Sequence, residues 1–205
     1  MIGIAITGVG AVRRGRRSIT IPDLVIEGPG LVHVRGGNGC GKSTLIELLA
    51  GGIAPARGSV RVCGEPAMSR AARRARRVCR TEIALLGHVT LRRHAVLFAR
   101  AAGLPGAAAM DALVDEGLGG RLDDAVDALS TGEARRAWVR LTTVGRAPVL
   151  LLDEPFLGVD PAASIALRSR VTAWAAESLV IVVDHDDRAW EPPALELALA
   201  APPVP

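Results

Sequence analysis

The stretch Gly36-Gly37-Asn38-Gly39-Cys40-Gly41-Lys42-Ser43-Thr44 constrains this chain more than any other. It fits G-x-x-x-x-G-K-[ST], whose glycines let successive backbone N–H groups point at one spot and form an anion nest. Ahead of it Leu31-Val32-His33-Val34-Arg35 alternates like a strand, and behind it Leu45-Ile46-Glu47-Leu48-Leu49-Ala50 reads as a helix. Strand, glycine loop and helix form the context this pattern needs to hold phosphate. A helix beginning near Ser43 adds N–H groups and the positive end of its dipole. In that setting Lys42 reaches the terminal phosphates of a nucleotide, and the Ser43 hydroxyl meets magnesium.

Composition supports this assignment. Of the 25 lysine and arginine side chains, all but Lys42 are arginine. The one lysine stands where a compact ammonium on a thin stem suits the loop better than a planar guanidinium. With 205 residues the chain is long enough for one domain with a core, and its net charge of +4 admits nucleic acid or an anionic membrane face as partners. Cys40, Cys63 and Cys79 show no metal spacing, and their odd number suits a reducing compartment. No run of about 18 apolar residues occurs. The arginines follow the apolar opening Met1–Val12, the wrong order for a signal peptide, so a cytosolic protein is expected.

Along the chain, Ile2, Ile4 and Ile6 alternate, Arg13-Arg14-Gly15-Arg16-Arg17 turns, and Ile19 and Ile21 resume, which predicts an antiparallel hairpin. Gly28-Pro29-Gly30 turns into the strand that feeds the loop, Gly51-Gly52 stops the loop helix, and Ser59–Cys63 is a short strand. Arg70, Arg73, Arg74 and Arg77 fall at i, i+3, i+4 and i+7, predicting an amphipathic helix with one basic face. No aromatic platform accompanies it, so a solvated surface helix is favoured over a nucleic-acid face. Glu82–Leu86 reads as a strand ending at Gly87-His88, followed by helices over Leu91–Ala102 and Ala107–Glu116. Another helix follows Ser130-Thr131-Gly132-Glu133 and runs to about Val144. Val149–Leu152 and Leu179–Val183 are continuous apolar runs, the mark of strands buried on both faces of a parallel sheet. Between them Asp160-Pro161 starts a helix that ends near Glu177. Leu195, Leu197 and Leu199 alternate as an edge strand, and Pro202-Pro203 ends the fold.

Strands alternating with helices predict an α/β fold with its site at the carboxyl ends of the strands. Three such ends carry chemistry: the glycine loop, Asp153-Glu154 and His185. Asp153, directly after an apolar strand, is placed to hold magnesium through water, and Glu154 to orient and deprotonate an attacking water. Asp-Glu after a strand can also be an ordinary loop pair. Its company with the glycine loop favours the catalytic reading.

The order of these motifs resembles the nucleotide-binding subunit of an ATP-binding cassette (ABC) transporter. Leu129-Ser130-Thr131-Gly132-Glu133 is similar to the family signature LSGGQ, Gly158-Val159-Asp160 to its D-loop, and His185 to its switch histidine. The resemblance implies a P-loop NTPase of the ABC type, with a mixed sheet, an N-terminal antiparallel β part and an inserted helical subdomain. Residues 1–205 then form one nucleotide-binding domain, with 1–87 and 146–205 as catalytic core and 88–145 as the helical subdomain. It implies that Gly36–Thr44 hold ATP with Mg2+, and that Ser130, Gly132 and Glu133 complete the site of a second protomer in a head-to-tail homodimer or heterodimer of ATPase subunits. Asp160 would link the two sites, and His185 would hold the γ-phosphate and the attacking water. The family further implies a separate membrane permease, ATP hydrolysis that drives transport through it, and peripheral attachment to the inner face of the membrane.

Departures from the family pattern bear on specificity. The family stacks adenine on an N-terminal aromatic residue, and none occurs here before Phe98, so Arg13 or Arg14 is the candidate to lie on the base and low base selectivity is expected. His88 stands where the family has the glutamine that senses magnesium and the permease, and Glu133 stands for the signature glutamine. The compact segment between His88 and Ser130 and the Gly87-His88 pair resemble exporter-type members, including the haem exporter of cytochrome c maturation; a peptide or antibiotic exporter fits as well. The alternative is a soluble ABC-type ATPase acting on nucleic acid or ribosomes.

Overall fold

The computed structural model describes residues 1–14, 17–145, 147–185, 190 and 194–199. The chain forms two compact units, one comprising Met1–Val78, Ala147–Asp153 and Val171–Pro205, the other Cys79–Arg146 and Glu154–Arg170.

The first unit is built on two sheets. Strands β1 (Gly3–Thr7), β4 (Leu24–Glu27), β6 (Ser59–Val62) and β7 (Glu65–Pro66) form an antiparallel sheet in the order β4-β1-β6-β7, while β2 (Gly10–Arg14) and β3 (Arg17–Ile21) pair as a hairpin. The second sheet runs β11-β5-β10-β9-β8, from β11 (Leu195–Ala198), β5 (Gly30–Arg35), β10 (Leu179–Val183), β9 (Val149–Asp153) and β8 (Arg76–Cys79). The pairs β11–β5, β5–β10 and β10–β9 are all parallel. Every residue of β9 and β10 is buried, as their apolar runs predict. Helix α1 (Lys42–Leu49) supplies Leu45, Ile46, Leu48 and Leu49 to one core shared with Ile4 and Ile6 of β1 and Val32, Val34, Leu151 and Ile181 of the parallel sheet. Removing each such side chain from water contributes about 1.5–3 kcal/mol, which fixes the helix that follows the glycine loop.

Three expectations are corrected here. The N-terminal hairpin is not Ile2–Ile6 with Ile19–Ile21: β1 pairs with β4 and β6, and β2 pairs with β3. Gly8 and Gly10, at φ of 65° and 60°, break the apolar run into two strands and free β1 to cross the sheet. The basic helix stops early. Helix α2 covers Arg70–Arg74, capped by the Ser69 hydroxyl, which accepts from Ala72 N–H at 3.0 Å; Arg76 then starts β8 and is buried, donating to the carbonyls of Ala67 and Ala50. The four-arginine face expected over 70–77 therefore does not form. Glu82–Leu86 is irregular, because the sheet position next to β9 is taken by β8. Pro202-Pro203 lies outside the described residues.

The second unit is helical. α3 (Leu91–Ala101), α4 (Gly106–Asp115) and α5 (Thr131–Thr142) pack around Leu91, Ala95, Ala99, Ala109, Leu113, Ala137 and Leu141, whose alanines permit close approach. Helix α6 (Pro161–Trp174) begins in this unit. The buried Glu116 carboxylate lies 3.1 Å from Arg170 Nε on α6 and 3.6 Å from Arg140 Nε on α5. Burial and then the neighbouring Arg170 pull the Arg140 guanidinium below its ordinary pKa. Such a group is costly to bury, so the carboxylate matters more for what its removal would leave unpaired than for net attraction.

Candidate functional site

In the parallel sheet, Val34 lies opposite Val183, and Val183 lies opposite Asp153. The ends of β5, β10 and β9 are therefore level. Gly36–Thr44, Asp184-His185 and Asp153 all leave one edge of the sheet, where α/β sheets bind ligands.

Two glycines of the loop stand where no side chain would fit. At Gly41, with φ 111°, a side chain would collide with the Ile19 side chain of β3, and at Gly36 a Cβ would lie 2.5 Å from Cys40 Sγ and 2.7 Å from the Leu199 carbonyl. Cys40 is 1% exposed and fills the turn. α1 starts on Gly41 with no side-chain cap and no acidic residue in its first turn, leaving its N-terminus suited to an anion. Lys42 Nζ folds back to donate to the Gly36 carbonyl at 2.6 Å and the Gly37 carbonyl at 3.3 Å. Ser43 is exposed at the same helix start, while Thr44 and Lys42 are buried.

Asp153 ends β9 buried, and His185 is exposed directly after Asp184. Ser43 and Asp153 offer a hydroxyl and a carboxylate, hard oxygen donors of the kind Mg2+ prefers. Among the described residues no group of three His, Cys, Asp or Glu could hold a metal alone.

His33 belongs to this neighbourhood too, although its sequence context did not mark it as a candidate. Its imidazole meets Asp184 Oδ1 at 2.6 Å, with both side chains almost fully buried. The available signal was a lone polar residue within Leu31–Val34; its partner is 151 positions away.

In the helical unit, Glu154 has φ 53°, a left-handed backbone unusual for a residue with a Cβ. Leu157 N–H donates to the Glu154 carbonyl at 3.3 Å, Val159 N–H to that of Phe156 at 3.1 Å, and the Arg168 guanidinium lies 5.3 Å above the Phe156 ring. Asp160 Oδ1 accepts from Ala163 N–H at 3.0 Å and caps α6.

Ser130 caps α5 in a reciprocal box: its hydroxyl accepts from Glu133 N–H at 3.2 Å, and its own N–H donates to Glu133 Oε2 at 2.8 Å. Glu133 thus closes an S-x-x-E capping box at the start of α5. The backbone N–H and then the hydroxyl of Ser130, with Arg121 beyond, hold the Glu133 carboxyl below its usual range. Gly132 faces the Gly158 carbonyl so closely that a Cβ would lie 3.0 Å from it, and Gly158, at φ 77°, abuts the Thr131 methyl. The structure thus brings the Ser130–Glu133 and Gly158–Asp160 segments together within one unit.

His88 is exposed in the turn that follows Gly87. The loop ahead of it is held by buried His94, whose Nε2 accepts from Leu86 N–H and whose Nδ1–H donates to the Thr90 carbonyl, both at 3.0 Å. The side chains of Arg13 and Arg14 lie outside the described residues.

Comparison with known proteins agrees in family and fold. A family model described as "ABC transporter" matches residues 23–157. The cytochrome c biogenesis ATP-binding export protein CcmA of Sphingopyxis alaskensis is 34% identical over 184 residues, 89% of each chain. The thiamine import ATP-binding protein ThiQ of Rhizobium meliloti is 33% identical over 80% of this chain and 73% of its own. ABC transporter A family member 1 of Dictyostelium discoideum is 29% identical over 80% of this chain, which spans only 19% of that larger protein. A solved structure, described as the ATP-binding subunit of an ABC transporter, superposes with a TM-score of 0.85 at 25% identity, covering 96% of this chain and 85% of that one.

Proposed function

Because the chain belongs to the ABC transporter family as an ATP-binding subunit and ATPase, we propose that Gly36–Thr44 hold the nucleotide phosphates and that Glu154 and His185 act on them. Family membership implies a transmembrane permease as partner. No helix among the described residues is long and apolar enough to cross a membrane.

The observation that carries the reading is the level register of β5, β10 and β9, from whose ends the glycine loop, His185 and Asp153 emerge. Backbone N–H groups of the loop and α1 bind the phosphates, and Lys42 turns from its own carbonyls to the β- and γ-phosphates. Ser43 and Asp153 hold Mg2+, which supplies charge neutralisation at the phosphate oxygens. Glu154, next in the chain after Asp153, orients and deprotonates water, and His185 hydrogen-bonds the γ-phosphate. Ser130, Gly132 and Glu133, at the start of α5, complete the site around the nucleotide of another protomer, with Asp160 beside them. The working unit is then a head-to-tail dimer on the cytoplasmic face of the permease. His88, in the place of the family's glutamine, links magnesium to that permease. Export is the preferred direction, since the CcmA relative matches over 89% of its length whereas the import relative ThiQ matches over 73%.

The test is Mg-dependent ATP hydrolysis by the parent, Asp153→Asn and Glu154→Gln. Removing the base should lower turnover by about 10²-fold or more while ATP still binds. Parental turnover in Glu154→Gln would remove Glu154 from this role.

A further inference from the structure

His33 lies on β5, just ahead of the glycine loop, and interrupts an apolar strand. Val32 and Val34 face the core shared with α1, so His33 points to the other side of the sheet. It is opposite Val182, which makes Asp184 its diagonal neighbour on the adjacent strand's exit. The imidazole Nε2–H donates to Asp184 Oδ1 at 2.6 Å, with side-chain exposures of 2% and 3%. Trp190 meets the same ring edge-on, at 6.1 Å and 71°. Glu196, opposite His33 on β11, is exposed and paired with Arg35 at 3.2 Å.

Asp184 immediately precedes His185 and Trp190 follows it. One imidazole therefore touches the chain on both sides of His185. The backbone ladder of β5 and β10 needs no polar side chain here, and burying such a pair carries a desolvation cost that an apolar residue would avoid.

We propose that His33 is a positioning residue for ATP hydrolysis, which through Asp184 and Trp190 fixes where His185 stands at the sheet edge that launches the glycine loop. The inference rests on the reading of His185 as a γ-phosphate contact. Without the imidazole, Asp184 stays buried and loses this donor, and the exit of β10 is free to shift.

The experiment measures kcat and KM for MgATP, with thermal melting, on full-length His33→Leu, His33→Gln, His33→Asn and His185→Ala. The Gln amide places an N–H where Nε2–H stands, whereas Asn is one methylene too short to reach. His33→Leu and His33→Asn should lower kcat by about tenfold or more with KM within about twofold, short of the 10²-fold that a 1 Å misplacement can cost. His33→Gln should stay within about threefold of the parent, because it restores the hydrogen bond. Parental kcat in His33→Leu, or equal losses in Gln and Asn, would overturn the proposal, as would a loss confined to KM. Should His33→Leu fail to fold, the contrast between Gln and Asn decides alone. Parental turnover in His185→Ala would instead overturn the role of His185, whereas an inactive His185→Ala beside a fully active His33→Leu would sink only the role of His33.

Discussion

Lys42 Nζ donates to the Gly36 carbonyl at 2.6 Å, so the ammonium closes the loop to which it belongs. In the proposed function a nucleotide phosphate competes with that carbonyl for the same donor. Lys42→Met should weaken MgATP binding by about 10- to 100-fold, the equivalent of one lost charge-assisted hydrogen bond of about 1.5–3 kcal/mol. Lys42→Arg should also weaken it, because a planar fork does not fit the turn. Isothermal titration checks both, with circular dichroism to confirm the fold.

The capping box at α5 predicts an acid signature. The folded Glu133 carboxyl titrates below its unfolded value, so its contribution to stability is complete above the unfolded pKa and is lost as pH falls through the folded one. Below about pH 4.3, the ordinary glutamate value, the parent should lose stability more steeply than Glu133→Gln. Ser130→Ala should cost about 1 kcal/mol at neutral pH. Urea melts from neutral pH down to about pH 3 measure both effects.

Much of this site was legible because its residues are close in sequence or announced by apolar runs. Gly36–Thr44 carries its own context, and the runs 149–152 and 179–183 marked the two strands whose ends supply Asp153 and His185. Pairings set by distant residues were not legible. β1 crosses to β4 and β6 instead of to the nearest alternating segment, since two glycines break the run. β8 was hidden because Arg77 falls at helical spacing with Arg70, Arg73 and Arg74, which outweighed two apolar residues. The His33–Asp184 bond joins strands that only the folded sheet makes neighbours.

Glu154 adopts φ 53°, where a β-branched side chain is crowded. Glu154→Val should destabilise the protein by about 1–2 kcal/mol in urea melts, whereas Glu154→Gln, with the same branching as glutamate, should leave stability unchanged. A strain effect of this kind is separable from the proposed catalytic role, since both variants lack the Glu154 carboxylate.

Base selectivity should be low. No aromatic residue precedes Phe98, and Ile19 covers the glycine loop from β3. Dissociation constants for MgATP and MgGTP should agree within about tenfold, or about 1.4 kcal/mol. A far larger preference for ATP would require a specific contact to adenine.

In the proposed mechanism the glycine loop is half of a site, which the Ser130–Glu133 segment of a second copy completes. Light scattering on Glu154→Gln, with and without MgATP, measures this pairing without relying on turnover. A monomer of 21.3 kDa is expected without nucleotide, and a doubling of mass with MgATP that reverses when the nucleotide is removed. A Glu154→Gln protein that binds MgATP and remains a monomer at every concentration tested would contradict the split site.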